Sequence, residues 1–255
     1  MVIESYTRVL PACRHEMVLI GDVDLEKAQY VRLVWAQADK TFEWGAGMRK
    51  ILVVNSKGGC GKTTIATNLA VALAVRGEDV ALADADRQKS SLSWIKRRPS
   101  KFATIDGLNW TKESSIGDKT KGLDAIVIDG PGGLRSELAK TLIAEASDIL
   151  VPVLASAFDW NATLKFLDGI SEIKRVRKGK ADIHVVANRI NRRSAQVAEL
   201  EQTLAQKGYP VLCRISDRVA YAKHAAAGTG IFDFSDAQSH EVRGQWHPLL
   251  QAVDT

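Results

Sequence analysis

The chain is poor in cysteine and has no long hydrophobic run. Its three cysteines, Cys13, Cys60 and Cys213, are odd in number and widely spaced, which argues against a disulfide framework or a zinc site and suits free thiols in a reducing compartment. Residues 1–20 carry Glu4, Arg8, Arg14 and Glu16, which interrupt any signal-peptide hydrophobic region. The longest uncharged apolar stretch, Ile149–Phe158, falls far short of the roughly 20 residues that a membrane helix needs. No internal repeat or low-complexity tract appears. A cytoplasmic protein is expected.

Residues 57–64, Lys-Gly-Gly-Cys-Gly-Lys-Thr-Thr, form a phosphate-binding loop with a second lysine at its front. The pattern G-x-x-x-x-G-K-[ST] asks for glycine at position 56, and Ser56 stands there instead. Gly58, Gly59 and Gly61 permit the close backbone approach that lets N–H groups wrap phosphates, and the following helix offers its positive end. Lys62 is placed to neutralise the outer phosphates and the Thr63 hydroxyl to hold Mg²⁺, while Cys60 fills a variable place. The flanks suit the motif: Ile51–Val54 is an apolar strand, and from Thr64 onward Ile65, Leu69, Ala72 and Leu73 recur at helical spacing before Gly77.

From Met48 onward apolar runs alternate with amphipathic segments. Strands are expected at Lys50–Asn55, Asp79–Ala83, Ala103–Ile105, Ala125–Asp129, Ile149–Leu154, Ile183–Ala187 and Val211–Arg214. Helices are expected over 64–76, 88–97, 134–146, 159–177, 194–207, 217–226 and 240–253. The alternation implies an α/β fold, a mostly parallel sheet with helices on both faces, in one domain over 48–255. Residues 1–47 differ in kind. Either they are a poorly ordered extension upstream of a natural start at Met48, or they pack as a helix over Asp22–Lys40. They hold five Lys/Arg against seven Asp/Glu, which leaves 30 against 23 for the remainder, a net +7 that invites an anionic partner.

Two acidic clusters stand where a nucleotide hydrolase needs a metal partner and a group to position water. Asp84 and Asp86 end the strand after the loop's helix, and Asp129 ends a second strand before the turn Gly130-Pro131-Gly132-Gly133. Together with the loop, the segments DADRQKSS (84–91), VIDGPGG (127–133), VPVLASAFD (151–159) and VVANRI (185–190) resemble the ParA/MinD group of deviant Walker A P-loop ATPases, and within it the short ParA-type partition proteins. The resemblance spans about residues 49–235, and the sequence departs from the family pattern at Arg87, Ala155 and Ala157.

The resemblance implies ATP and Mg²⁺ as cofactors, slow ATP hydrolysis, and a homodimer that sandwiches ATP, with Lys57 reaching the partner subunit's phosphates. It implies that Lys57, Gly58, Gly59, Cys60, Gly61, Lys62, Thr63 and Thr64 bind the nucleotide and that Asn188 contacts the base. Asp86 then positions the attacking water, and Thr63, Asp84 and Asp129 lie at the metal. It further implies nonspecific DNA binding over the nucleoid, with Arg189, Arg192, Arg193, Arg214, Arg218 and Lys223 as candidate phosphate contacts. A ParB-like or organelle adaptor would stimulate hydrolysis, and the cargo would be a plasmid, a chromosome or a protein organelle such as a carboxysome. Two alternatives stay open: a metabolic P-loop enzyme that activates a small molecule with ATP, and a low-turnover ATP-dependent adaptor. Membrane attachment is not expected, because Glu241–Thr255 carries Arg243 as its sole Lys/Arg.

Overall fold

The computed structural model describes residues 47–111, 120–133, 136–191 and 195–254. The readings of residues 1–46, including the helix over Asp22–Lys40, lie outside the described residues, as do Arg192 and Arg193. The elements are β1 (Arg49–Val53), α1 (Lys62–Val75), β2 (Val80–Asp84), α2 (Ser90–Arg97), β3 (Asp106–Asn109), β4 (Ala125–Asp129), α3 (Glu137–Glu145) and β5 (Asp148–Val153). They continue with α4 (Ala157–Ser171), α5 (Lys174–Arg177), β6 (Asp182–Ile190), α6 (Ala195–Gln206), β7 (Val211–Ser216), α7 (Val219–Ala227), α8 (Ala237–Gly244) and α9 (His247–Val253).

The strands form one sheet in the order β3-β2-β4-β1-β5-β6-β7, every pair parallel. Parallel strands buried on both faces read as continuous apolar runs, and β4 (AIVID) and β5 (DILVPV) are buried throughout. Alternate side chains serve opposite layers. Ile51, Val53, Leu82 and Val127 pack with Leu69, Leu73 and Trp246 on one face. Leu52, Val54, Ile126 and Ile128 pack with Leu142, Leu167 and Leu200 on the other. Helix α1 shows no apolar stripe because ten of its residues, Ile65–Ala74, are all buried.

Beyond shifts of a few residues at element ends, three expected elements differ in place or number. The third strand is Asp106–Asn109, not Ala103–Ile105, and of its residues Leu108 alone is buried. The expected helix over 159–177 is two helices, α4 and α5, interrupted at Glu172-Ile173. The last one is also two: α8 begins under an Asp236 cap, whose carboxylate accepts the Ser239 N–H at 2.9 Å, and α9 begins with Pro248 in its first turn.

Where the sheet begins, Arg49 donates to the Val253 carbonyl at 2.9 Å and pairs with Glu78, while Arg76 holds Asp254 at 2.7 Å. This clasp ties β1 to residues 204 positions downstream. Among the described residues no helix is long and apolar enough to cross a membrane.

Candidate functional site

The loop between β1 and α1 lies at the carboxyl end of the central strands, where open α/β sheets bind ligands. Asn55 braces it, donating to the Pro152 carbonyl at 2.7 Å and accepting the Lys57 N–H at 3.2 Å. The Lys57 carbonyl in turn accepts from Cys60 Sγ at 3.2 Å and Lys62 Nζ at 3.5 Å, which closes the loop on itself. Gly61 is the N-cap of α1 at φ 91°, with no side-chain cap and no acid in the first turn. The helix's first N–H groups therefore have no built-in acceptor there, and its positive end is left for an anion.

Lys62, Thr63 and Thr64 make up the start of that first turn, so the helix begins two residues before the expected Thr64. Thr64 is half-buried, and its carbonyl accepts the Asn68 Nδ2 at 2.8 Å, which steadies the turn beneath the loop. Cys60 is buried, and that burial pushes its thiol above its ordinary value although Lys62 opposes the shift. It is a packing residue, in keeping with its variable place in the motif.

Asp129 closes the site from β4. Its Oδ2 accepts the Thr63 hydroxyl at 2.7 Å and the Ser91 hydroxyl at 2.6 Å, whereas its buried Oδ1 has no partner among the described residues. Burial pushes its carboxyl up to about 6, with the Ser91 and Thr63 bonds acting in the opposite sense. An orphaned carboxylate oxygen beside a threonine hydroxyl is a hard-oxygen donor set. It suits Mg²⁺, which binds through one or two protein oxygens plus phosphates and water, and no cluster of three or more metal-binding side chains is found among the described residues. Gly130 follows, where a Cβ would stand 2.7 Å from the Val53 carbonyl, so only glycine lets β4 leave the sheet beside β1.

Asp84 is fully buried and both its oxygens are engaged, Oδ1 with the Asp86 N–H at 3.1 Å and Oδ2 with the Leu92 N–H at 3.0 Å. Burial raises its carboxyl despite these bonds. It shapes the turn that carries Asp86, which is half-buried and accepts the Gln88 N–H at 3.0 Å. Sequence reasoning missed Ser91 and Asn55. A serine opening a helical segment reads as a cap, and Asn55 merely ended an apolar run; neither carries a distinguishing pattern.

Asn188 was expected at a strand end and instead lies inside β6, because pairing with β7 resumes at Ile190. It is buried, and its Nδ2 donates to the Cys60 carbonyl at 2.8 Å. The structure thus brings Lys57 through Thr64, Asp84, Asp86, Asp129 and Asn188 to one end of the sheet. Of the basic residues, Arg189 faces Asp217 at 3.6 Å, Arg218 meets Glu241 at 3.2 Å, and Arg214 pairs with Glu201. Lys223 is exposed on α7.

Comparison with known proteins agrees with this geometry. The family described as CobQ/CobB/MinD/ParA nucleotide binding domain matches residues 51–231. Over 208 residues the chain is 29% identical to the maintenance of carboxysome distribution protein A of Halothiobacillus neapolitanus, covering 80% of this chain and 95% of that protein. A putative plasmid partition protein from Borrelia burgdorferi bound to AMPPNP superposes with a TM-score of 0.62 at 20% identity, over 81% of this chain and all of that one (100%). Cobyrinic acid a,c-diamide synthase from Mycobacterium smegmatis, with bound ADP and magnesium, superposes at 0.56 and 20% identity, over 71% and 94% of the two chains. At such identities the two structures speak for the fold. With the phosphate loop, its lysines and the acids of β2 and β4 gathered at one sheet end, the chain belongs to the CobQ/CobB/MinD/ParA nucleotide-binding family, the deviant Walker A P-loop ATPases.

Proposed function

We propose that this ATPase is a ParA-type partition or positioning protein that closes as an ATP-sandwich dimer, binds nonspecific DNA and is reset by partner-stimulated hydrolysis. The observation that carries the reading is Lys57. Within one chain Lys62, Thr63, Thr64 and the start of α1 already supply what a phosphate chain needs. Lys57 is an additional cation at the front of the loop, its backbone pinned by Asn55, Cys60 and Lys62. A lysine delivered there to a second copy's phosphates adds positive charge where charge develops in phosphoryl transfer. The similarity to a carboxysome distribution protein and to a plasmid partition protein supports a cargo of that kind.

Thr63 and Asp129 are the residues that would hold Mg²⁺, which when bound neutralises charge on the phosphates. Asp84 supports them by fixing the turn that presents Asp86. Asp86 would orient water, and Asn188 would face the base. DNA would be held by phosphate contacts from Lys223, Arg189, Arg192, Arg193, Arg214 and Arg218, with the salt sensitivity such contacts carry. The protein would then act in the cytoplasm, over the nucleoid.

Sedimentation of the full chain with Mg²⁺ and ATP or ADP tests this. The expected result is a dimer with ATP alone, and a monomer for Lys57→Ala that still binds nucleotide. The ATP dimer should retain DNA at low salt and lose it as salt rises. A Lys57→Ala variant that dimerises normally, or a wild-type chain that neither dimerises nor retains DNA with ATP, sinks the proposal and favours a metabolic ATP-using enzyme.

A further inference from the structure

Asn188 sits at an irregularity of the sheet. Between Ala187 and Ile190 strand β6 advances three residues while its partner β7 advances two, from Arg214 to Ser216. That is a β-bulge, a device that re-aims a side chain at the cost of local pairing. Inside it Arg189 adopts φ 53°, in the left-handed region that non-glycine residues rarely occupy. The bulge turns Asn188 toward the phosphate loop, where its Nδ2 donates to the Cys60 carbonyl at 2.8 Å. The fit is close: a Cβ on Gly61 would lie 2.1 Å from that same Nδ2.

In a trans peptide the C=O and the following N–H point in opposite directions. Fixing the Cys60 carbonyl toward Asn188 therefore fixes the Gly61 N–H away from it, and with it the plane at which the loop meets α1. We propose that Asn188 is a positioning residue of the phosphate loop: its amide sets the Cys60–Gly61 peptide so that the loop's N–H groups receive phosphate. The inference rests on the phosphate-binding reading of residues 57–64. It gives Asn188 a task on the phosphate side of the site, separate from any contact with the base. The strained Arg189 backbone is explained by the same device, since it is the residue that takes up the bulge.

Mg²⁺–tripolyphosphate, which has the phosphates and no base, separates the two tasks. Its affinity and that of Mg²⁺–ATP are measured by displacement of a fluorescent ATP analogue from the full chain and from Asn188→Asp. This substitution keeps the side-chain shape and replaces the donor with an oxygen facing the Cys60 carbonyl. Both affinities are expected to fall by a common factor, roughly tenfold. ATP affinity falling alone, with tripolyphosphate unchanged, overturns the proposal, because the amide then serves only the base; so does no fall in either. Asn188→Ser, smaller and neutral, guards against misfolding. It is first checked by thermal unfolding without ligand, and it should show the same parallel loss. The readout needs neither dimer nor DNA, so a failed partition reading leaves it standing.

Discussion

Removing the Ser91 hydroxyl should make the stability of the nucleotide-free protein depend on pH across the neutral range. Asp129 is 1% exposed, and one oxygen, Oδ2, receives both of its short O–H bonds, from Thr63 and Ser91. Its carboxyl lies at about 6 against an ordinary 3.8, so between those values the native state holds the proton more tightly than the unfolded chain. The stability this proton confers is full below about pH 4 and lost as pH rises through about 6, about 3 kcal/mol in all at ~1.36 kcal/mol per pH unit. A hydrogen bond to an ionised group contributes roughly 1.5–3 kcal/mol. Without Ser91 the ionised form loses that much, and the carboxyl should rise further, since the Ser91 bond is the larger of the two that hold it down. Urea denaturation in EDTA at pH 5 and at pH 8 reads the difference. Ser91→Ala should cost little at pH 5, where Asp129 is protonated in both proteins, and about 1.5–3 kcal/mol at pH 8. Equal losses at the two pH values would refute the reasoning, since a mere packing defect does not titrate.

Other residues give sharper thresholds. Gly61→Ala must place a Cβ at φ 91° and against Asn188, so the backbone term alone should lower unfolding stability by about 1–2 kcal/mol, with loss of nucleotide binding by equilibrium titration; a variant as stable and as tight as the parent would contradict the contact. Arg98 and Asp233 form a forked ion pair with side chains 6% and 0% exposed, and Arg98→Ala should cost about 3–5 kcal/mol in urea denaturation because a buried carboxylate loses its cation and keeps the Gly230 N–H at 2.8 Å; a loss below about 1 kcal/mol would place the pair in solvent. Burial pushes the Cys60 thiol up and the Cys213 thiol up to about 12, so a Cys13→Ser variant should react with Ellman's reagent at pH 8 no faster than it unfolds, and a rapid burst of colour would show an accessible thiol.

Much of the fold was legible because parallel strands buried on both faces are unbroken apolar runs: Ala125–Asp129 matches β4 residue for residue. The third strand was not, because an edge strand needs one inward residue, and Leu108 among Asp106, Gly107 and Asn109 makes no run. The break at Glu172-Ile173 escaped notice because apolar spacing continues across it from α4 to α5. At the site, the glycines and lysines of the loop are a covalent pattern and could be read directly. The bonds from Ser91 to Asp129 and from Asn188 to Cys60 join residues 38 and 128 positions apart, and only the packed sheet brings them together. The bulge is likewise a property of two strands, so no pattern within β6 announces it.

The clasp at the foot of β1 sets an order of assembly. Arg49 is made early and Glu78 follows it by 29 residues, yet the other two groups that lock it, the Val253 carbonyl and Asp254, are joined to the chain 204 residues or more later. The central strand must wait through that interval for its neighbours β4 and β5 and then for α9. A contact spanning so much sequence is reached late and slowly. A growing chain therefore carries its phosphate loop on a sheet still open at the base, and closure of that base is a finishing event shared by the whole domain.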